Sequence, residues 1–318
     1  MFQNILVPLD GSFVGETALP YASALAARTG ASLTLVRATH MPVGVGDRSS
    51  EYQRVIAEAE AYLSTQAAAV VARGFVVQTG VPFGGSPAAW IAEEVGMRKA
   101  DLIVMATHDR SGPNRWLHGS VAEAVVAQAG VPVLLVRATE GVRRIERLDA
   151  PRPELIVPLD GSSLAEAAVP LGRGLAKALG GHIVLVGVIP TPGQLVAEQG
   201  GAIGTYVGSD HARLESEAKA YLEAILGSLT ASGLSAEATV RQGKPAVEIG
   251  EVAREHGAAA VVMATHGRTG LVRTLLGSVA GEVLHLGASP VILVRPPEPR
   301  PAEEPIRDSA TSAALAPG

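Results

Sequence analysis

The chain carries two hexapeptides of identical spelling, Val7-Pro8-Leu9-Asp10-Gly11-Ser12 and Val157-Pro158-Leu159-Asp160-Gly161-Ser162, so it contains one folding unit written twice. Whatever fold one copy adopts, the other must adopt as well. The repeat continues with Val104-Met105-Ala106-Thr107-His108 against Val262-Met263-Ala264-Thr265-His266, and with Gly119-Ser120-Val121-Ala122 against Gly277-Ser278-Val279-Ala280. The first pair is offset by 150 residues and the others by 158, which places an eight-residue excess between the first and fourth strands of the second copy. The glycine-rich stretch from Gln194 to Gly208 is its expected place.

A chain of 318 residues accommodates two units of about 140 to 150 residues, each able to bury its own core. The expected division is 1–139, a linker at 140–153, a second domain at 154–296, and a tail at 297–318 whose prolines and lack of apolar period predict disorder. The arginine-rich linker, with Arg143, Arg144 and Arg147 among acidic residues, reads as a solvated connection. Side chains that are 47% hydrophobic but only 3% aromatic suit helices packed on a parallel sheet. A balance of 26 basic against 31 acidic residues, net −5, excludes the long-range attraction that nucleic acid or anionic lipid exerts on basic proteins. Without cysteine there is no disulfide, thiolate metal site or thiol nucleophile. Met1 runs directly into the apolar Ile5-Leu6-Val7, and no stretch approaches the roughly 18 apolar residues of a membrane span. A soluble cytoplasmic protein is expected.

Each copy alternates short β-branched runs with longer helical patterns, as βαβ units with strands buried on both faces do. The spacing predicts strands over 4–9, 32–38, 75–79, 102–107 and 133–137, then 154–159, 182–188, 236–241, 259–265 and 291–295. Helices are predicted over 16–29, 51–72, 87–98 and 121–129, then 164–179, 211–232, 246–256 and 279–286. Right-handed crossovers make this an α/β fold of two tandem doubly wound, five-stranded parallel-sheet domains, Rossmann-like in form.

In such sheets ligands bind beyond the carboxyl ends of the strands, where strand order reverses. All three repeated motifs fall at such ends. Gly277, Ser278 and Val279 open a helix, whose first N–H groups and partial positive charge suit an anionic group. Arg268 or Arg273 in the preceding loop could lie over the same oxygens. The pattern describes a mononucleotide phosphate cradle.

These residues resemble the universal stress protein family, whose nucleotide-binding members carry Gly-x-x-Gly, nine residues, then Gly-Ser/Thr after strand four. The similarity covers nearly the whole chain as a tandem pair and includes Pro290 to Arg295. It implies the adenine nucleotide alpha hydrolase-like fold, with ATP or another adenine nucleotide as ligand and Mg²⁺ as its companion. By that resemblance Pro158, Asp160 and Val188 border adenine and ribose, Met263, Ala264, His266 and Gly267 line the turn beneath them, and Gly277, Ser278 and Val279 hold phosphates. The corresponding, weaker set is Pro8, Asp10, Ala38, Met105, Ala106, His108, Gly119, Ser120 and Val121. Two positions depart from the pattern: Ala264 and Ala106 replace its first glycine, and Asp109 replaces the second in the first copy only. A like charge about 4 Å away repels by about 1 kcal/mol in water and about 4 kcal/mol at an effective dielectric near 20. The first site is therefore expected to be weaker by about one to three orders of magnitude, less whatever Mg²⁺ or Arg110 offsets.

Other readings of the same residues stay open. Asp10 and Asp160 suit turns that cap the next helix, and Ser163 to Glu166 has capping-box spacing. Gly277-Ser278 suits a simple helix start. Ser12 and Ser162, near His108 and His266, lack a nucleophile elbow, and the histidines have no metal-binding spacing, so neither a triad nor a metal site is expected. Trp90 and Trp116 read as packing residues. Three functions remain: a nucleotide-dependent stress-response regulator or sensor, a slow ATP hydrolase or nucleotide-transferring enzyme, and a nucleotide-free dimerisation scaffold. The closing strands 133–137 and 291–295 are apolar edges. Family members join through this strand, which predicts an internal pseudo-dimer and a homodimer of the whole chain.

Overall fold

The computed structural model describes residues 1–37, 39, 49–82, 86–107, 120–137, 145–198, 206–265 and 276–296. The first half runs β1 (Asn4–Leu9), α1 (Phe13–Glu16), α2 (Ala18–Thr29), β2 (Ser32–Arg37), α3 (Ser49–Val71), β3 (Val77–Gly80), α4 (Pro87–Arg98), β4 (Leu102–Thr107), α5 (Ser120–Gln128) and β5 (Val133–Arg137). A short α6 (Ile145–Leu148) leads to β6 (Glu154–Leu159), α7 (Ser163–Glu166), α8 (Ala168–Leu179), β7 (His182–Ile189), α9 (Pro192–Glu198), α10 (Tyr206–Ala231), β8 (Ser235–Gln242), α11 (Pro245–Glu255), β9 (Ala260–Ala264), α12 (Ser278–Leu286) and β10 (Val291–Val294).

The two five-stranded sheets join into one ten-stranded sheet of order β3-β2-β1-β4-β5-β10-β9-β6-β7-β8. Pairing is parallel within each half and antiparallel only where β5 meets β10. There Leu134 faces Ile292, its own counterpart in the repeat, and Val133 and Leu135 face Leu293 and Val291. Equivalent residues meeting across a junction are the mark of a two-fold, isologous contact. Both closing strands are thereby consumed inside the chain.

Side chains alternate between two cores, one on each face of the sheet. Leu33, Leu35, Leu134, Ile292 and Leu185 pack beneath α2, α3, α8 and α10, while Val36, Leu135, Val291, Met263 and Val186 pack beneath α4, α5, α11 and α12. Trp90 is buried in the second of these, as its packing role predicts; Trp116 lies outside the described residues. No described helix is long and apolar enough to cross a membrane.

Three expectations need correction, and a fourth, the insertion, gains detail. Each first helix is two: Thr17 and Ala167 interrupt it, and Thr17 turns its hydroxyl onto the Val14 carbonyl at 2.6 Å. The third strand of the first half is displaced to Val77–Gly80, since an edge strand with one neighbour lacks the two-sided burial that marks the inner ones. The insertion is partly helical. The tyrosine–glutamate pairs Tyr62–Glu16 and Tyr221–Glu166 are 46 and 55 residues apart, nine more in the second half, one of which is given back before β9; the second strands still share the 150-residue offset, so the extra chain lies between β7 and α10, where α9 lies. Finally, the described part of the linker is packed: Leu148 is buried, Arg147 donates to the Ala258 carbonyl, and Arg152 donates to Ser235 and contacts His182. The remainder of the linker, including Arg143 and Arg144, and the tail lie outside the described residues.

Candidate functional site at the split between strands

Strand order reverses between β1 and β4 and again between β6 and β9. At both places the ladder is short: only Ile5 and Leu6 pair with β4, and only Leu155 and Ile156 pair with β9. Beyond them the strands part. A residue in a parallel ladder turns its N–H and C=O to the same neighbour, and successive residues alternate. The carbonyl of Asn4 accepts from Asp101 of the β4 side, and that of Glu154 from Ala259 of the β9 side, so Pro8 and Pro158 face the same way. Proline has no N–H to give. The repeated proline thus falls where the ladder stops and a crevice begins.

At the lip of each crevice the Asp-Gly-Ser sequence forms a tight turn. Gly11 and Gly161 have φ of 81° and 82°, the left-handed region that a side chain rarely adopts. Asp160 Oδ1 accepts from the Ser162 amide at 3.0 Å and its hydroxyl at 2.6 Å, and Ser162 Oγ in turn accepts from the Ala165 amide at 3.1 Å. Asp10, Ser12 and Gly15 repeat the arrangement at 2.9, 2.6 and 3.0 Å. The turn-and-cap reading of these aspartates therefore holds, with the cap at Ser162, one residue before the capping-box position Ser163.

Opposite this turn, β9 ends in Ala264, and the buried Thr265 follows. Its carbonyl accepts from the Gly277 amide at 2.7 Å, and its own amide donates to Val294 at 2.9 Å. This hangs the start of α12 directly on the strand end. Gly277 is the N-cap and has no side chain to cap with, unlike Ser12, Ser86 and Ser162, whose hydroxyls cap α1, α4 and α7; the starts of α2, α8 and α11 also lack a side-chain cap. The Gly281 amide is the first to reach a carbonyl of the helix, that of Gly277, which leaves the amides of Ser278, Val279 and Ala280 without a partner in the helix ladder. Ser278 is exposed and Val279 half-buried. Val188, Met263 and Val279 all lie on the face covered by α11 and α12.

The second crevice therefore brings together Pro158, Asp160, Val188, Met263, Ala264, Gly277, Ser278 and Val279 around the β6 and β9 ends. In the first, Pro8, Asp10, Met105, Ala106 and Val121 hold the matching positions along the repeat. His266, Gly267, Arg268 and Arg273, and in the first copy Ala38, His108, Asp109, Arg110 and Gly119, lie outside the described residues, as does the side chain of Ser120.

The model of the Universal stress protein family matches residues 1–137 and 153–295. The chain belongs to this family. A universal stress protein of Mycolicibacterium smegmatis is 26% identical over 311 residues, covering 92% of this chain and 97% of its own. Another, Rv2005c of Mycobacterium tuberculosis, is 29% identical over 199 residues, and the match spans 62% of that relative's length. Among solved structures, a universal stress protein from Archaeoglobus fulgidus shares the fold at a TM-score of 0.67 with 21% identity, over 92% of this chain and 98% of its own.

One group near the first crevice was not anticipated. Arg37, at the end of β2, stacks over Tyr62 of α3 with 4.7 Å to the ring centroid. A Cβ on Gly11 would stand 2.9 Å from its guanidinium. Tyr62 donates to Glu16, which also accepts from Gln66. Burial, and then Glu16, push the Tyr62 hydroxyl well above the usual tyrosine range, against the pull of Arg37. In the second half Gly187 stands at the register position of Arg37, opposite the last residue of the first strand. The signal lay in the repeat itself: an arginine in one copy aligned with a glycine in the other.

Proposed function

We propose that the chain is a nucleotide-dependent regulatory module whose second half holds ATP or another adenine nucleotide. The observation that carries this is the start of α12: an N-cap glycine that supplies no side-chain cap, an exposed Ser278 beside it, and a bond that fastens both to the strand end at the switch point. The base and ribose would lie against Val188, Met263 and the Asp160 turn, and the phosphates on the amides of Ser278 and Val279. Mg²⁺ would arrive with the phosphates, which together with water would supply most of its ligands. The first half, with Asp109 in place of a glycine, is the weaker binder. ATP titrated into the full chain in the presence of Mg²⁺ should show one strong equivalent. Ser278→Asp, which sets a charge among the phosphates, should weaken it at least about tenfold, and Ser120→Asp should leave it unchanged. Absence of binding, or equal effects of the two substitutions, overturns the proposal. Phosphate release in the same samples tests the hydrolase alternative.

A further inference from the structure

Helices α5 and α12, which start at the two crevices, are each held at their far end by the opposite half of the chain. Arg137, the last residue of β5, donates from Nη1 to the His285 carbonyl in the last turn of α12 at 2.5 Å. Arg295, just past β10, donates to the Ala127 carbonyl in the last turn of α5 at 2.5 Å. Arg137 and Arg295 are counterparts in the repeat, as are Ala127 and His285, so the contact is one two-fold motif seen from both sides. Its chemistry is favourable twice over: the guanidinium satisfies a carbonyl that the helix leaves open, and its charge lies at the negative end of the helix dipole. Gly287, the C-cap of α12 at φ 59°, admits it, because a Cβ there would collide with the Arg137 side chain.

Because the two halves meet antiparallel, the carboxyl rim of one half is level with the amino rim of the other. Arg137 thus stands on the carboxyl rim of the first half, across β4 from the first crevice, while holding the tail of a helix whose head is at the second. Nine residues of α12 make a rod of about 14 Å. Ala280, Gly281, Val283 and Leu284 bury one side of it in the core, and the Gly277–Thr265 bond ties its head to the strand end.

We propose that Arg137 is a positioning residue for the nucleotide site of the second half: by seating the tail of α12 it sets the axial position at which the amides of Ser278 and Val279 meet the phosphates. This rests on the reading of α12 given under Proposed function. Arg295 does the same for α5, where weaker binding makes the effect silent.

The test uses the full chain carrying Arg137→Gln, Arg137→Lys or Arg295→Gln, with ATP and Mg²⁺ as the probe and hydrogen exchange of the nucleotide-free protein as a second readout. Arg137→Gln should weaken ATP binding about fivefold, or about 1 kcal/mol, and speed exchange of the Gly281 amide, which makes the first bond of the helix ladder. Arg137→Lys should restore most of both. Arg295→Gln should lower the melting temperature as much as Arg137→Gln yet leave ATP affinity and Gly281 exchange at wild-type values. Equal loss of stability with affinity and exchange unchanged overturns the positioning role, as does equal weakening by both glutamine variants. If the wild type binds no ATP, the nucleotide reading falls, and Gly281 exchange alone decides: unaltered protection in Arg137→Gln overturns the inference.

Discussion

The two crevice turns are near copies in backbone and hydrogen bonding, yet what stands behind them differs. In the first half the Asp10 turn is backed by Arg37, which is laid across Tyr62 and tied through it to Glu16 and Gln66. In the second, Gly187 replaces the arginine and Ile225 the glutamine, and Tyr221–Glu166 is the pair that both halves share. The bracing lies on the α3 face, opposite the face that carries Val188, Met263 and Val279 in the second half. What the duplicates kept are the residues that bend the chain and cap the helices; what they changed is how firmly the result is supported. The second turn has no arginine at the position of Arg37.

The comparison breaks most readily at the junction. Leu134 and Ile292 are both buried and face one another, so truncating either to alanine should cost about 2 to 5 kcal/mol. Chemical denaturation of Leu134→Ala and Ile292→Ala should give losses within about 1 kcal/mol of each other; a wide gap denies the two-fold equivalence. A smaller effect sharpens the contrast between the turns. Ser162→Ala should cost about 1 kcal/mol, the usual worth of a lost N-cap, and Ser12→Ala distinctly less, because Arg37 keeps its turn in place. Equal losses would mean that Arg37 braces nothing.

The smallest effect is a change in pH profile. The Tyr62 hydroxyl titrates higher in the folded chain than in the unfolded one, so its contribution is complete below the ordinary tyrosine value near 10. It is lost as pH rises from there through the folded value. Phenylalanine does not titrate, and Tyr62→Phe should flatten the alkaline fall in stability. A profile unchanged in slope would remove Tyr62 from the account.

Much of this was legible in the residues. Strands buried on both faces, such as Leu102–Thr107 and Glu154–Leu159, announce themselves as apolar runs and were bounded correctly. The edge strand Val77–Gly80 was misplaced because exposed positions leave no such mark. The Thr17 break was hidden because a single helical period runs through both pieces; it recurs at Ala167, which has no hydroxyl, and what the two copies share there is a proline three residues on, Pro20 and Pro170, with no N–H for the helix ladder. At the site, the Asp-Gly-Ser turns and the glycine opening α12 were readable as local chemistry. The roles of Arg37 and Arg137 were not: each depends on a partner brought near only by the fold, Gly11 across a strand pair for one and His285, 148 residues away, for the other.

The prolines at positions 8 and 158 have one more implication. A strand with an N–H at that place could zip one step further onto its neighbour, and the cleft would become something a ligand must prise apart. With the donor deleted from the covalent structure, the parting of the strands is written into the chain itself. A nucleotide seated there as proposed would break no sheet hydrogen bond on entering.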